Sequence, residues 1–140
     1  MTKLLRMITM LVVLLIVSSS CTSSKMMEYY TQEDHYLYAT GIVSHLQYNS
    51  DGSVLYLGFS ELSPAFDDNT FKIVGENIPI VKNNGIDQSL ALGDEVIFIT
   101  APKYFGDGYV MPIVAIAANG VEFLKFEEGY QNFLTWLKTN

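Results

Sequence analysis

The reactive side chains of this chain are few, and each can be weighed singly. Cys21 is the one cysteine among 140 residues, so neither a disulfide framework nor a cysteine-based metal site can form within the chain. The two histidines, His35 and His45, fall ten positions apart. On one extended strand they would share a face yet stand roughly 30 Å apart at about 3.3 Å per residue, too far for a common metal. Asp67-Asp68-Asn69 and Asn49-x-Asp51-Gly52 are rich in oxygen donors, and the second opens like a calcium loop. Neither continues to the distant bidentate glutamate that such a loop needs, so both read as turns. HExxH, GxSxG and a phosphate-cradling glycine loop do not occur, which removes the commonest hydrolase and nucleotide signatures. No catalytic residue, metal ligand or cofactor is therefore assigned.

Cys21 gains meaning from what precedes it. Lys3 and Arg6 make a basic start, Met7 to Val17 is an 11-residue apolar run broken only by Thr9, and Ser18-Ser19-Ser20 places small residues before the thiol. This is the three-part layout of an export signal. The run is short for a permanent span, since a hydrocarbon core of about 30 Å takes roughly 20 helical residues. Val17 to Cys21 resembles the bacterial lipobox, departing from it at Ser18, where an aliphatic residue is commonest. The resemblance implies cleavage before Cys21 and a diacylglycerol, with acyl chains such as palmitate, thioether-linked to its sulfur. Two acyl chains at roughly 0.8 kcal/mol per buried methylene hold a protein where one holds it only marginally. The expected organisation is a signal peptide at 1–20, a lipidated cysteine and tether at 21–34, and a folded domain at 35–140. The expected location is a cell membrane, lipid-anchored and facing outside the cytoplasm, extracellular or periplasmic.

Charge narrows the partners. Loss of the signal would take Lys3 and Arg6 while all 15 acidic residues stay, moving the net charge from −7 to −9. Nucleic-acid binding draws its affinity from lysine and arginine on phosphates, so that function is excluded on composition. The same balance argues against a polybasic grip on anionic lipid.

The elements that would position any site are mostly strands. Tyr36 to Tyr48 is rich in β-branched and aromatic residues, with Tyr36, Tyr38, Ile42, Leu46 and Tyr48 on one face and Gly41 where a bulge or bend would sit. Asn49-Ser50-Asp51-Gly52 turns the chain into Val54 to Leu62. Phe71 to Val74 is a short strand, and Ile78-Pro79-Ile80-Val81 reads as another, restricted by Pro79 to an edge. Asp87 to Leu92 is expected to make one helical turn. The continuous apolar Val96-Ile97-Phe98-Ile99 suits a strand buried on both sides. After a turn at Gly106-Asp107-Gly108, Tyr109 to Ala117 pairs through Asn119-Gly120, a strong hairpin signal, with Val121 to Phe126. Phe126, Tyr130, Phe133, Leu134 and Leu137 then form the stripe of an amphipathic helix.

That order predicts an all-β domain, a small five-stranded barrel with a C-terminal amphipathic α-helix. Through Leu92-Gly93-Asp94-x-Val96 and Gly41-Ile42-Val43, set in a long first strand, it resembles the small bacterial lipoproteins whose exported domain is an OB-fold akin to anticodon-binding domains. A lipocalin-like or other small meander barrel is the alternative. The resemblance implies a binding surface on the middle strands and connecting loops, drawing on Tyr38, Tyr56, Tyr104 and Phe105. Aromatics without interleaved lysine and arginine point to an uncharged or cationic ligand or a protein segment. The expectation is a non-enzymatic binding domain of the cell envelope, with the membrane as one partner through Cys21 and an envelope protein or small uncharged ligand as another. An envelope enzyme or enzyme subunit, or an accessory whose C-terminal helix docks to a partner, are the competing expectations.

Overall fold

A computed structural model describes residues 25–103, 105 and 111–140. The expected signal at 1–20, Cys21, the first residues of the tether, Tyr104 and the turn Gly106-Asp107-Gly108 lie outside the described residues. The chain divides into two compact units, up to Gln32 and from Glu33 to Asn140. In the first, residues 25–30 are helical, and Thr31 closes that helix by donating its hydroxyl to the Met27 carbonyl at 2.6 Å.

The second unit is mostly antiparallel sheet with a C-terminal helix. After a 3-10 turn at Glu33–His35, strands β1 (Leu37–Tyr48), β2 (Val54–Ser63) and β3 (Thr70–Val74) follow as a meander. Two short helices, α1 (Asn77–Asn83) and α2 (Ile86–Ser89), lead to β4 (Glu95–Thr100), β5 (Met111–Ala118) and β6 (Val121–Leu124), and α3 (Phe126–Thr139) ends the chain. The sheet order is β3-β2-β1-β4-β5-β6, and β5 also pairs in parallel with β3 through Phe71–Met111 and Lys72–Pro112. Six strands form among the described residues, where five were expected.

Strand β1 pairs on both edges, with β2 and β4, and its irregularities decide which side chains face inward. Its register against β2 shifts between Thr40 and Ile42, where Gly41 sits with Phe59 crowded over it, and again between Val43 and His45. A bulge adds a residue to one strand and so breaks the period-2 alternation of faces. Ala39 and Val43 are buried, whereas beyond the second shift Leu46 and Tyr48 pack on the core. The expected single face of Tyr36, Tyr38, Ile42, Leu46 and Tyr48 is thus divided: Tyr38 points outward and is 73% exposed.

The core is aromatic at its centre. Phe59 and Phe98 stack at 4.6 Å, and Phe71 meets both edge-on at 5.6 and 5.0 Å. Burying each such ring is worth roughly 1.5–3 kcal/mol, with about 0.5–1.5 kcal/mol more from each well-oriented pair. Ile78-Pro79-Ile80-Val81 is not a strand but most of α1. Pro79 lies in the first turn, where a missing N–H costs no helical hydrogen bond, and Ile78 and Val81, three apart, go into the core. Asn119 (φ 54) and Gly120 (φ 76) make the tight β5–β6 turn, which needs two left-handed residues.

Helix α3 packs against β5, burying Gly129, Tyr130 and Phe133. Gly129 is the point of closest approach: a Cβ there would overlap the Val114 carbonyl oxygen and lie 2.8 Å from its carbon. Next to it Asn77, 1% exposed, donates its Nδ2 to the Gly129 carbonyl at 2.9 Å and accepts from Asn132 Nδ2 at 3.1 Å. A polar pin thus joins α1 to α3 inside the unit.

Candidate functional site

The outward face of β1, β4 and β5 is mostly apolar, with Thr40 and the exposed Glu95 among its polar members. The pairings set Tyr38, Ile99 and Ala115 in one cross-strand row and Thr40, Ile97 and Ala117 in the next. Alanines on β5 leave a depression that larger residues would fill, while α3 approaches that strand with Gly129 against Val114. What remains is a groove of two adjoining hollows, about 150 and about 220 Å³, that share Tyr38, Ile99 and Phe126. Tyr38 forms one wall and Phe126 the other, over a floor of Ile97, Ile99, Ala115 and Ala117. Ile97 is 53% exposed, although its place in a continuous apolar run predicted burial on both sides.

One end of the groove is braced by rings. Tyr36 meets Phe126 edge-on at 5.9 Å and Tyr130 at 5.1 Å, and Phe126 stacks on Tyr130 at 5.4 Å. Desolvation, and secondarily the charge of Glu33, hold the Tyr130 phenol above its ordinary value, so it is neutral at neutral pH and no stronger a nucleophile than usual. The charged side chains lining the groove are Glu33, Glu122 and Lys125. Apolar contact is the chemistry this surface offers.

Two of the residues proposed from sequence, Tyr38 and Tyr56, lie far apart on the sheet. Tyr38 pairs across to Ile99 near the start of β1, whereas Tyr56 pairs with Gln47 near its end, roughly 30 Å along the strand at about 3.3 Å per residue. Tyr56 is half-buried beside its cross-strand partner Lys72, whose Nζ lies 5.2 Å from the ring centroid; desolvation lowers the Lys72 ammonium below its usual range. Phe105 is half-buried and likewise carries a lysine, Lys103 Nζ at 4.8 Å. These two rings already face cations. A third such pair, unforeseen from sequence, holds Lys82 Nζ 4.7 Å above Tyr48, whose hydroxyl donates to Asp87 at 2.7 Å. Burial first, then that carboxylate, raise the Tyr48 phenol far above its ordinary value.

The oxygen-rich segments act locally. Asp51 accepts from the Ser53 amide at 3.0 Å and the Ser53 hydroxyl at 2.6 Å, and Asp68 accepts from the Asn69 and Thr70 amides. His35 lies in the 3-10 turn and His45 on β1. No group of three or more metal-ligating side chains occurs among the described residues, and no described helix is long and apolar enough to cross a membrane. Ile97, Ile99, Ala115, Ala117 and Phe126 were not foreseen as site residues; the signal available was small alanines on a strand facing an isoleucine run. The chain matches no protein-family model, no curated protein and no solved structure.

Proposed function

We propose that this chain is a bacterial envelope lipoprotein, cut before Cys21, anchored by lipid on that cysteine and facing outside the cytoplasm. Its domain is a non-enzymatic binding module, and its working surface is the groove between Tyr38 and Phe126. The observation that carries the binding reading is the exposure of Tyr38 and Ile97, 73% and 53%, in adjoining rows of one apolar face. Large hydrophobics exposed together on a hollowed surface mark interaction sites.

The domain is read as an OB-like five-stranded barrel with β6 and α3 added. Supporting this, β1 pairs with β2 and β4, β2 with β3, β4 with β5, and β5 in parallel with β3, an order of pairings that returns to its start. Basic residue, apolar run, small residues and a lone thiol, in that order, support the anchor.

A photo-crosslinking residue placed at 38 or 97 in intact envelopes should form adducts that the same residue at the exposed turn position Ser50 does not. Equal labelling at all three positions, or none, would remove the groove as a binding surface.

A further inference from the structure

We infer that the occupant of the groove is the bilayer itself: the domain lies with Tyr38, Ile97 and Phe126 against the surface of the membrane that holds Cys21. This rests on the anchoring proposed above and adds the partner of that site. The argument begins with chain length. Even fully extended at about 3.5 Å per residue, the run from Cys21 to Glu33 reaches roughly 40 Å, and helical residues 25–30 rise only about 1.5 Å each. Glu33 opens the folded unit and also lines the groove. The groove therefore includes the residue at which the segment from Cys21 joins the folded unit. A short tether gives a linked surface an effective concentration in the millimolar range, so a patch too small to bind a free partner tightly can still dock.

Side-chain chemistry agrees. Tyr36 and Tyr38 stand at the rim beside Phe126, and tyrosine, with an apolar ring and a polar tip, favours the bilayer–water interface. The charged residues lining the groove, Glu33 and Glu122 against Lys125, leave it a single net negative charge, in a chain that carries −9 once cut before Cys21. A zwitterionic surface fits such a face, and added anionic lipid should weaken docking through the rest of the domain.

The test uses the lipidated full chain in phosphatidylcholine vesicles. Trp136 is the only tryptophan and is replaced (Trp136→Phe), with one new tryptophan introduced as Tyr38→Trp or, as a control, Ser50→Trp. Brominated acyl chains should quench the tryptophan at 38 several-fold more than the one at 50, phosphatidylglycerol should reduce that difference, and adding Ile97→Glu should abolish it with the melting temperature unchanged. Equal quenching at both positions in a chain that floats with the vesicles overturns the inference and leaves the anchor standing. A chain that does not float overturns both.

Discussion

Replacing Gly129 with alanine should destabilise this protein, against the ordinary rule for helices. At an exposed position inside a helix, glycine to alanine gains about 1 kcal/mol. Here the added methyl would overlap the Val114 carbonyl oxygen, with the Leu124 Cδ2 at 3.0 Å as a second neighbour. The first obstacle is sheet backbone, which cannot rotate away, so α3 must lift from β5. Overpacking of this kind costs about 1–3 kcal/mol. Lifting also stretches the 2.9 Å bond from Asn77 Nδ2 to the Gly129 carbonyl, and a buried group left unpaired costs about 1–3 kcal/mol more. After subtracting the gain in helix propensity, a net loss of about 1–5 kcal/mol remains. At about 4 °C per kcal/mol for a domain of this size, melting should fall by roughly 4–20 °C by circular dichroism or calorimetry, with amide exchange in α3 accelerating first. An unchanged or higher melting temperature would refute the close packing of α3 on β5.

Other outcomes follow from single contacts. Asn77→Ala should cost about 1–3 kcal/mol by urea unfolding, because it removes two hydrogen bonds, the buried one to the Gly129 carbonyl and the one from Asn132, while Asn132→Ala, at a half-buried position, removes one and should cost about 0.5–1.5 kcal/mol; the reverse order would contradict the pin. Asn119's amide, then the Ala91 N–H, hold the Asp94 carboxyl below the usual carboxylate range. A depressed folded value adds stability that is complete above the unfolded pKa of about 3.9 and disappears as pH falls through the folded one. The gap between the native chain and Asp94→Ala in urea midpoint should therefore be full at neutral pH and close under acid; a gap constant down to about pH 2 would argue otherwise. Tyr38→Ser and Ile97→Ser should each change stability by no more than about 0.5 kcal/mol, whereas Phe98→Ala should cost about 3–5 kcal/mol. Equal losses would make the groove floor ordinary core.

Much of the fold was legible because its signals were local. Asn49 to Gly52 and Asn119-Gly120 announce two hairpins, and the spacing of Phe126, Tyr130 and Phe133 announces α3. What failed depended on partners distant in sequence. Pro79 argues equally against a central strand and for a first helical turn, and only the core waiting for Ile78 and Val81 decides between them. The phase of β1 changes between Val43 and His45, where residue types alone give no warning. Ile97 looks like its buried neighbours Val96 and Phe98 until the sheet leaves its side of β4 uncovered. Tyr38 was singled out for its aromatic ring, but its groove neighbours reach it through pairings of β1 with β4 and of β4 with β5, which no local pattern specifies. Tyr56 and Phe105 carry the same aromatic signal as Tyr38, and the fold places a lysine ammonium over each ring, which no local pattern announces.

The anchoring of this domain is the claim on which location, orientation and the membrane-facing groove depend, and intact-mass analysis of the chain recovered from bacterial membranes tests it most directly. The account predicts a chain that begins at Cys21 and carries diacylglycerol on that residue's sulfur, absent from a Cys21→Ser variant. A recovered chain that still carries residues 1–20, or begins elsewhere with Cys21 as a free thiol, would contradict it.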